Sequence, residues 1–180
     1  EKIQGFKLGP IGVRYLVRDL VLGACPRLDT LDLGWNHIGR QGIKFLSDGF
    51  KRKCAPNLSR LDLRANLLMP NSIELLLEGL VKGQVKLKVL DLRANAFKDD
   101  GGCLIASLAL EGCFDTLEEL HLESCEIRSR GMWALFQAFQ AEKIASSPAA
   151  SNAPPPASPS ESESDIASLA AAALRWRGGS

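Results

Sequence analysis

Few residues in this chain of 180 have types and spacing that could do chemistry. The hexapeptide LDLRAN occurs at Leu61–Asn66 and again at Leu90–Asn95, so Asp62/Arg64 and Asp91/Arg93 form two identical Asp/Arg pairs, a candidate duplicated site. The two histidines, His37 and His121, are too few for most His-based sites. His121 stands four residues before Cys125, but a metal centre needs further ligands at suitable spacing, and none follows. Asp99-Asp100-Gly101-Gly102 has the composition of a phosphate or cation loop. No P-loop, GxSxG, HExxH or nucleophile–base pair accompanies it. No enzyme activity, metal or cofactor is expected from these residues.

The elements that would position such residues explain them better. The hexapeptides lie within a longer pattern whose copies begin at Leu28, Leu58, Leu87 and Leu117, in steps of 30, 29 and 30 residues. Each reads L-x-x-L-x-L-x-x-N/C-x-L, ending on Ile38, Leu68, Phe97 and Ile127. A partial unit precedes them, with Ile3 and Leu8 one repeat before Leu33 and Ile38. Leucines alternating at 31/33, 61/63, 90/92 and 120/122 point to one face of a short strand. Past the Asn the spacing turns helical: Ile43, Leu46 and Phe50 recur as Ile73, Leu76 and Leu80, then as Met132, Leu135 and Phe139. Each unit is therefore expected to be strand, turn, helix and return loop, with Gly42, Ser72, Gly101 and Gly131 opening the helices. The Asp99-Asp100 segment then falls in the turn before a helix. Asn36, Asn66 and Asn95 should form a ladder that satisfies backbone groups freed at each bend, with Cys125 as its small alternative.

This pattern resembles the leucine-rich repeat, and the 29–30 spacing with "LEELHLESC" resembles its ribonuclease-inhibitor-like class. The resemblance spans residues 1–143. It implies an α/β solenoid, a horseshoe segment with short parallel strands on the concave side and helices on the convex side. That class includes the Ran GTPase-activating protein, the sensor regions of NOD-like receptors, and many cytoskeletal and ciliary proteins. The resemblance implies protein partners in general and names none.

Residues flanking the strand leucines stack into columns on the concave face. One reads Asp32, Asp62, Asp91, His121; the next Gly34, Arg64, Arg93, Glu123; the other flank Thr30, Arg60, Val89, Glu119. These columns are expected to form a mixed-charge docking strip with Trp35 at its rim, since Trp and Arg are frequent interface anchors. The bland alternative is a solvated face that neutralises itself. Nucleic-acid binding is not expected: Asp62 and Asp91 interrupt the basic residues, and no aromatic stacking series accompanies them.

Composition bounds the rest. Net charge is +1, and no apolar run approaches the roughly 18 residues of a membrane span, so no membrane partner is expected. Residues 1–57 nevertheless carry ten Lys/Arg against five Asp/Glu. Five cysteines without a CxxC pair fit a reduced intracellular compartment, hence the cytoplasm. Residues 144–164 are rich in Ala, Ser and Pro and read as a flexible linker. In residues 165–177, Ile166, Leu169, Ala173 and Trp176 follow helical spacing, so an amphipathic helix is expected to cap the solenoid or dock a partner. Neither end of the solenoid looks self-sufficient, so a fragment, or a subunit of a hetero-oligomeric assembly, is expected. The Ala/Ser/Pro bias points toward an algal or protist genome and so toward a ciliary or cytoskeletal setting. A GTPase regulator and an immune-receptor sensor are the competing expectations.

Overall fold

The computed structural model describes residues 1–4, 7–145 and 175–177, with side chains described through residue 140. Five short strands stand in parallel, each beside its neighbour in sequence: β1 Lys2–Gln4, β2 Thr30–Asp32, β3 Arg60–Asp62, β4 Val89–Asp91 and β5 Glu119–His121. After each comes a helix: α1 Gly9–Val21, α2 Gly39–Lys51, α3 Pro70–Gly83, α4 Lys98–Leu110 and α5 Ser129–Ala145. The register aligns the repeat, with Ile3, Leu31, Leu61, Leu90 and Leu120 side by side.

Hydrophobic burial drives the stacking, because no single unit can cover its own apolar face. Leu31, Leu33, Leu61, Leu63, Leu90, Leu92, Leu120 and Leu122 are all buried. The helices close over them with Ile43, Leu46 and Phe50, then Ile73, Leu76 and Leu80, then Met132, Leu135 and Phe139, as the helical spacing requires. Helices approach closely where a side chain is missing. A Cβ on Gly79 would lie 2.6 Å from the Ser47 Cα, so α3 can sit on α2 only with glycine there. The glycines expected to open the helices lie in their first turns. Gly42, Gly101 and Gly131 make room for Ile38, Phe97 and Ile127, the last apolar residue of each strand unit, which fold back under the first helical turn.

The asparagine ladder satisfies the bends between units. Asn66 Oδ1 accepts from the backbone N–H of Asn36 and Ile38 one repeat earlier, and its Nδ2 donates to the carbonyls of Leu33, Leu63 and Arg64. Asn95 repeats the arrangement toward Asn66, Leu68, Leu63, Leu92 and Arg93. Asn36 Oδ1 accepts from Leu8 N–H. Cys125 takes the next rung, donating Sγ–H to Leu92 O at 3.2 Å.

The tail departs from expectation. Residues Arg175–Arg177 form a strand, β6, antiparallel to β5, with Trp176 opposite Leu120. A helix running to residue 177 is therefore replaced at its end by extended backbone. The physical reason lies in β5, whose outer edge otherwise presents unpaired N–H and C=O groups, and in Arg-Trp-Arg, whose alternation suits a strand. Ile166, Leu169 and Ala173, and the linker from residue 146 onward, lie outside the described residues. α5 continues to Ala145, two residues past the expected end of the solenoid.

Candidate functional site

The three columns of the concave face are present in register. Thr30, Arg60, Val89 and Glu119 are paired across β2–β5, as are Asp32, Asp62, Asp91 and His121. Their chemistry is more inward than the alternation suggests. Asp32, Asp62 and Asp91 each use Oδ1 to accept the backbone N–H two residues on, from Gly34, Arg64 and Arg93, all at 3.1 Å. Each aspartate thus caps the turn that ends its own strand. That explains why the strands are three residues long and why Asp32 and Asp91 are buried.

The two arginines answer those carboxylates. Arg93 grips Asp91 with Nε at 2.9 and 3.0 Å from the two oxygens and Nη2 at 2.5 Å. This contact holds the Arg93 guanidinium pKa above its ordinary value. Arg64 lies between two carboxylates, 3.3 Å from Asp62 and 4.0 Å from Asp32. It passes over Gly34, where a Cβ would stand 2.9 Å from Arg64 Nε, so the glycine in the arginine column is what lets it reach back. Burial, and then the neighbouring Asp91 and Asp32 charges, push the Asp62 carboxyl above the usual carboxylate range, against the Arg64 N–H and guanidinium. At the last strand His121 Nε2 lies 3.2 Å from Glu119, while Glu123 Oε2 is buried without a hydrogen-bond partner among the described residues. Arg60 is exposed, and Val89 in the same column is buried.

The Asp91/Arg93 pair therefore spends most of its hydrogen bonding on itself and on its turn, while Arg64 makes ion-pair contacts and keeps a buried Nε without a hydrogen-bond partner among the described residues. The exposed apolar surface lies beside them, where strands give way to turns. Trp35 is 65% exposed, Leu67 64% and Met69 48%. They occupy successive turns along one edge, with Ala65, Ala94 and Ala96 between and beyond them. Trp35 and Leu67 have φ of +60° and +58°, a left-handed conformation that side chains with a Cβ resist. Trp35 was legible as a rim residue. Leu67 and Met69 were not, although the same repeat positions read His37 and Gly39, Glu126 and Arg128, which should have drawn attention to two large apolar side chains there.

Asp99 and Asp100 act structurally. Asp99 Oδ1 accepts from Arg128 and Gly131 N–H, capping α5 from the preceding repeat, and Asp100 pairs with Arg130. All five cysteines are free thiols, and burial pushes Cys125 up to about 12, as suits a ladder rung rather than a nucleophile. Among the described residues no group of three or more His, Cys, Asp and Glu is placed to hold a metal, and no helix is long and apolar enough to cross a membrane.

A family model described as Leucine Rich repeat matches residues 24–47, 84–106 and 116–136. A search of curated proteins found no match to the chain. The three matched stretches contain β2, β4 and β5, and the unmatched β3–α3 unit carries the same strand, asparagine and helix in register with them. Three of the chain's repeats thus match the leucine-rich-repeat model, and the fold is an α/β leucine-rich-repeat solenoid.

Proposed function

We propose that the solenoid is a non-catalytic scaffold that docks another protein along the turn edge of its concave face. Leucine-rich repeats generally mediate protein–protein interaction. The observation that carries this reading is the edge strip of Trp35, Leu67 and Met69, large apolar side chains held in solvent at positions where the fold asks for none of them. Aromatic and aliphatic anchors of this kind supply most of the energy of an interface. Arg64 and Arg93, with Asp32, Asp62 and Asp91, form the polar border of that strip and fix its register on the partner. Arg60, Glu119, His121 and Glu123 extend the border across the strands. The partner belongs to a larger hetero-oligomeric assembly inside the cell, in a reduced compartment such as the cytoplasm, where five free thiols persist.

Capture from the native source tests this. Cross-linked complexes recovered with the unaltered protein should be lost with Trp35→Ala combined with Leu67→Asn. Recovery of the same complexes by both proteins would dismiss the edge as the docking site.

A further inference from the structure

The convex side carries a second surface, independent of the concave edge. An open groove runs between α1 and α2, floored by Val17, Val21 and Phe45 and rimmed by Arg14, Arg18 and Arg52. Among the described residues Asp48 is the one carboxylate on its walls, and Leu22, 78% exposed, stands at its end.

The repeat itself supplies the comparison that makes this groove unusual. One unit further along, Val21 becomes Lys51, while Asp48 and Arg52 become Glu78 and Lys82. There Glu78 is clasped by Lys51 at 3.1 Å and by Lys82 at 2.8 Å, so the α2–α3 seam closes its own charges. At the α1–α2 seam no such clasp exists: among the described residues Arg14, Asp48 and Arg52 have no ion pair within 4.0 Å. Arg18 pairs with Asp19, its neighbour in α1. Two of the guanidinium groups are held flat by rings, Arg14 over Phe45 at 6.0 Å and Arg18 over Tyr15 at 5.2 Å. Stacking orders the planar head and leaves the N–H edges of Arg14 free for oxygen acceptors, whereas Arg18 spends Nε and Nη2 on Asp19.

We propose that this groove docks an acidic peptide segment of a partner protein, with carboxylates on Arg14 and Arg52 and an aliphatic side chain on Val21 and Leu22. Charge complementarity selects that occupant: Arg14 and Arg52, neither of them in an ion pair among the described residues, face one aspartate, with Arg18 already paired to Asp19, within the part of the chain where basic residues outnumber acidic ones two to one. A nucleic acid fits less well, because Asp48 interrupts the cations and Arg14 already covers the face of Phe45, leaving no free ring there for a base. The proposal is separate from the concave edge, and either can fail alone.

Fluorescence anisotropy with a labelled peptide of alternating Glu and Leu measures it directly. Binding should be salt-sensitive, and Arg14→Glu with Arg52→Glu should weaken it about tenfold or more, two reversed contacts at the strength of exposed ion pairs. Arg40→Glu with Lys44→Glu, the same charge change on exposed residues of α2 outside the groove, should leave binding within about twofold, as should Trp35→Ala. The neutral pair Arg14→Gln with Arg52→Gln should lie between, and serves if the reversals disturb folding. Equal weakening by both reversals would overturn the proposal, since net charge alone would then explain it. Arginine-dependent binding of anionic vesicles or duplex DNA without peptide binding would overturn it, as would a dimer dispersed by the reversals. So would a gain of about tenfold on neutralising Glu161, Glu163 and Asp165, which would give the groove to the chain's own acidic stretch.

Discussion

Leu67 is the residue at which stability and binding should part company. It adopts φ +58°, and its side chain is 64% exposed. Fully burying a leucine is worth ~1.5–3 kcal/mol, so the third that Leu67 keeps from water contributes ~0.5–1 kcal/mol. The left-handed backbone costs an ordinary side chain ~1–2 kcal/mol, and Asn, which hydrogen-bonds locally, escapes much of it. The two effects nearly cancel. Leu67→Asn should therefore leave unfolding within about 1 kcal/mol of the parent, on the stabilised side, a rise of up to ~4 °C for a domain of this length. His37 fills the same repeat position at φ +51°, so the site already tolerates a polar side chain. The next residue is the contrast: Leu68 is fully buried, and Leu68→Ala should cost ~2–5 kcal/mol. Partner affinity should move the opposite way. Losing an apolar anchor of this size costs ~1–2 kcal/mol of binding, or roughly 5- to 30-fold in Kd. Chemical denaturation and a binding titration on the same two variants read both quantities. A Leu67→Asn protein destabilised by more than ~2 kcal/mol would refute the reasoning, because Leu67 would then be part of the core rather than a held-out anchor.

Three further outcomes follow from the packing. Asn66→Ala removes five hydrogen bonds, among them the shared acceptor of the Asn36 and Ile38 N–H groups, while the Leu63 and Arg64 carbonyls keep Asn95 Nδ2 and the Trp35 N–H as donors; at ~1 kcal/mol for each buried bond lost, denaturant unfolding should show a loss of ~3–5 kcal/mol. Gly79→Ala drives a Cβ toward Ser47 backbone at 2.6 Å, so α2 and α3 must part and the melting temperature should fall by several degrees, as for an overpacked core at ~1–3 kcal/mol. Asp62 titrates above its ordinary value, so the folded state holds its proton more tightly than the unfolded chain, and its ionisation weakens folding as pH rises through the folded-state value. Asp62→Asn keeps an acceptor for Arg64 N–H and should be the more stable protein at neutral pH, an advantage that vanishes below the ordinary carboxylate range. A urea midpoint unchanged between the two proteins at pH 7 would contradict that.

The parts of the fold set by alternation and by backbone need were legible in the sequence. Leucines two apart could only share a face, and Asn36, Asn66 and Asn95 had to answer the peptide groups of a bend inside a stack. Periodicity was less informative about how far a side chain reaches. Asp32 and Asp91 fall on the outward positions of their strands, yet the turn that follows folds its N–H onto each, and Arg64 and Arg93 close over them, so outward position did not mean free charge. Leu67 and Met69 fell past the Asn, where the pattern specifies a bend and says little about side-chain type. At the tail, local spacing suggested a helix through residue 177, but the open edge of β5 offers hydrogen bonds that outweigh so short a helix. The convex groove was invisible in any single repeat. It emerges only when Val21, Asp48 and Arg52 are compared with Lys51, Glu78 and Lys82.

The central claim is that the turn edge of the concave face meets a protein partner, and a photo-reactive amino acid placed singly at Leu67 tests it most directly. Illuminated in the native assembly, that position should cross-link to one partner polypeptide with high yield, while the same group at Glu74, on the convex side in α3, should not. Equal or greater cross-linking from Glu74 than from Leu67 would contradict it.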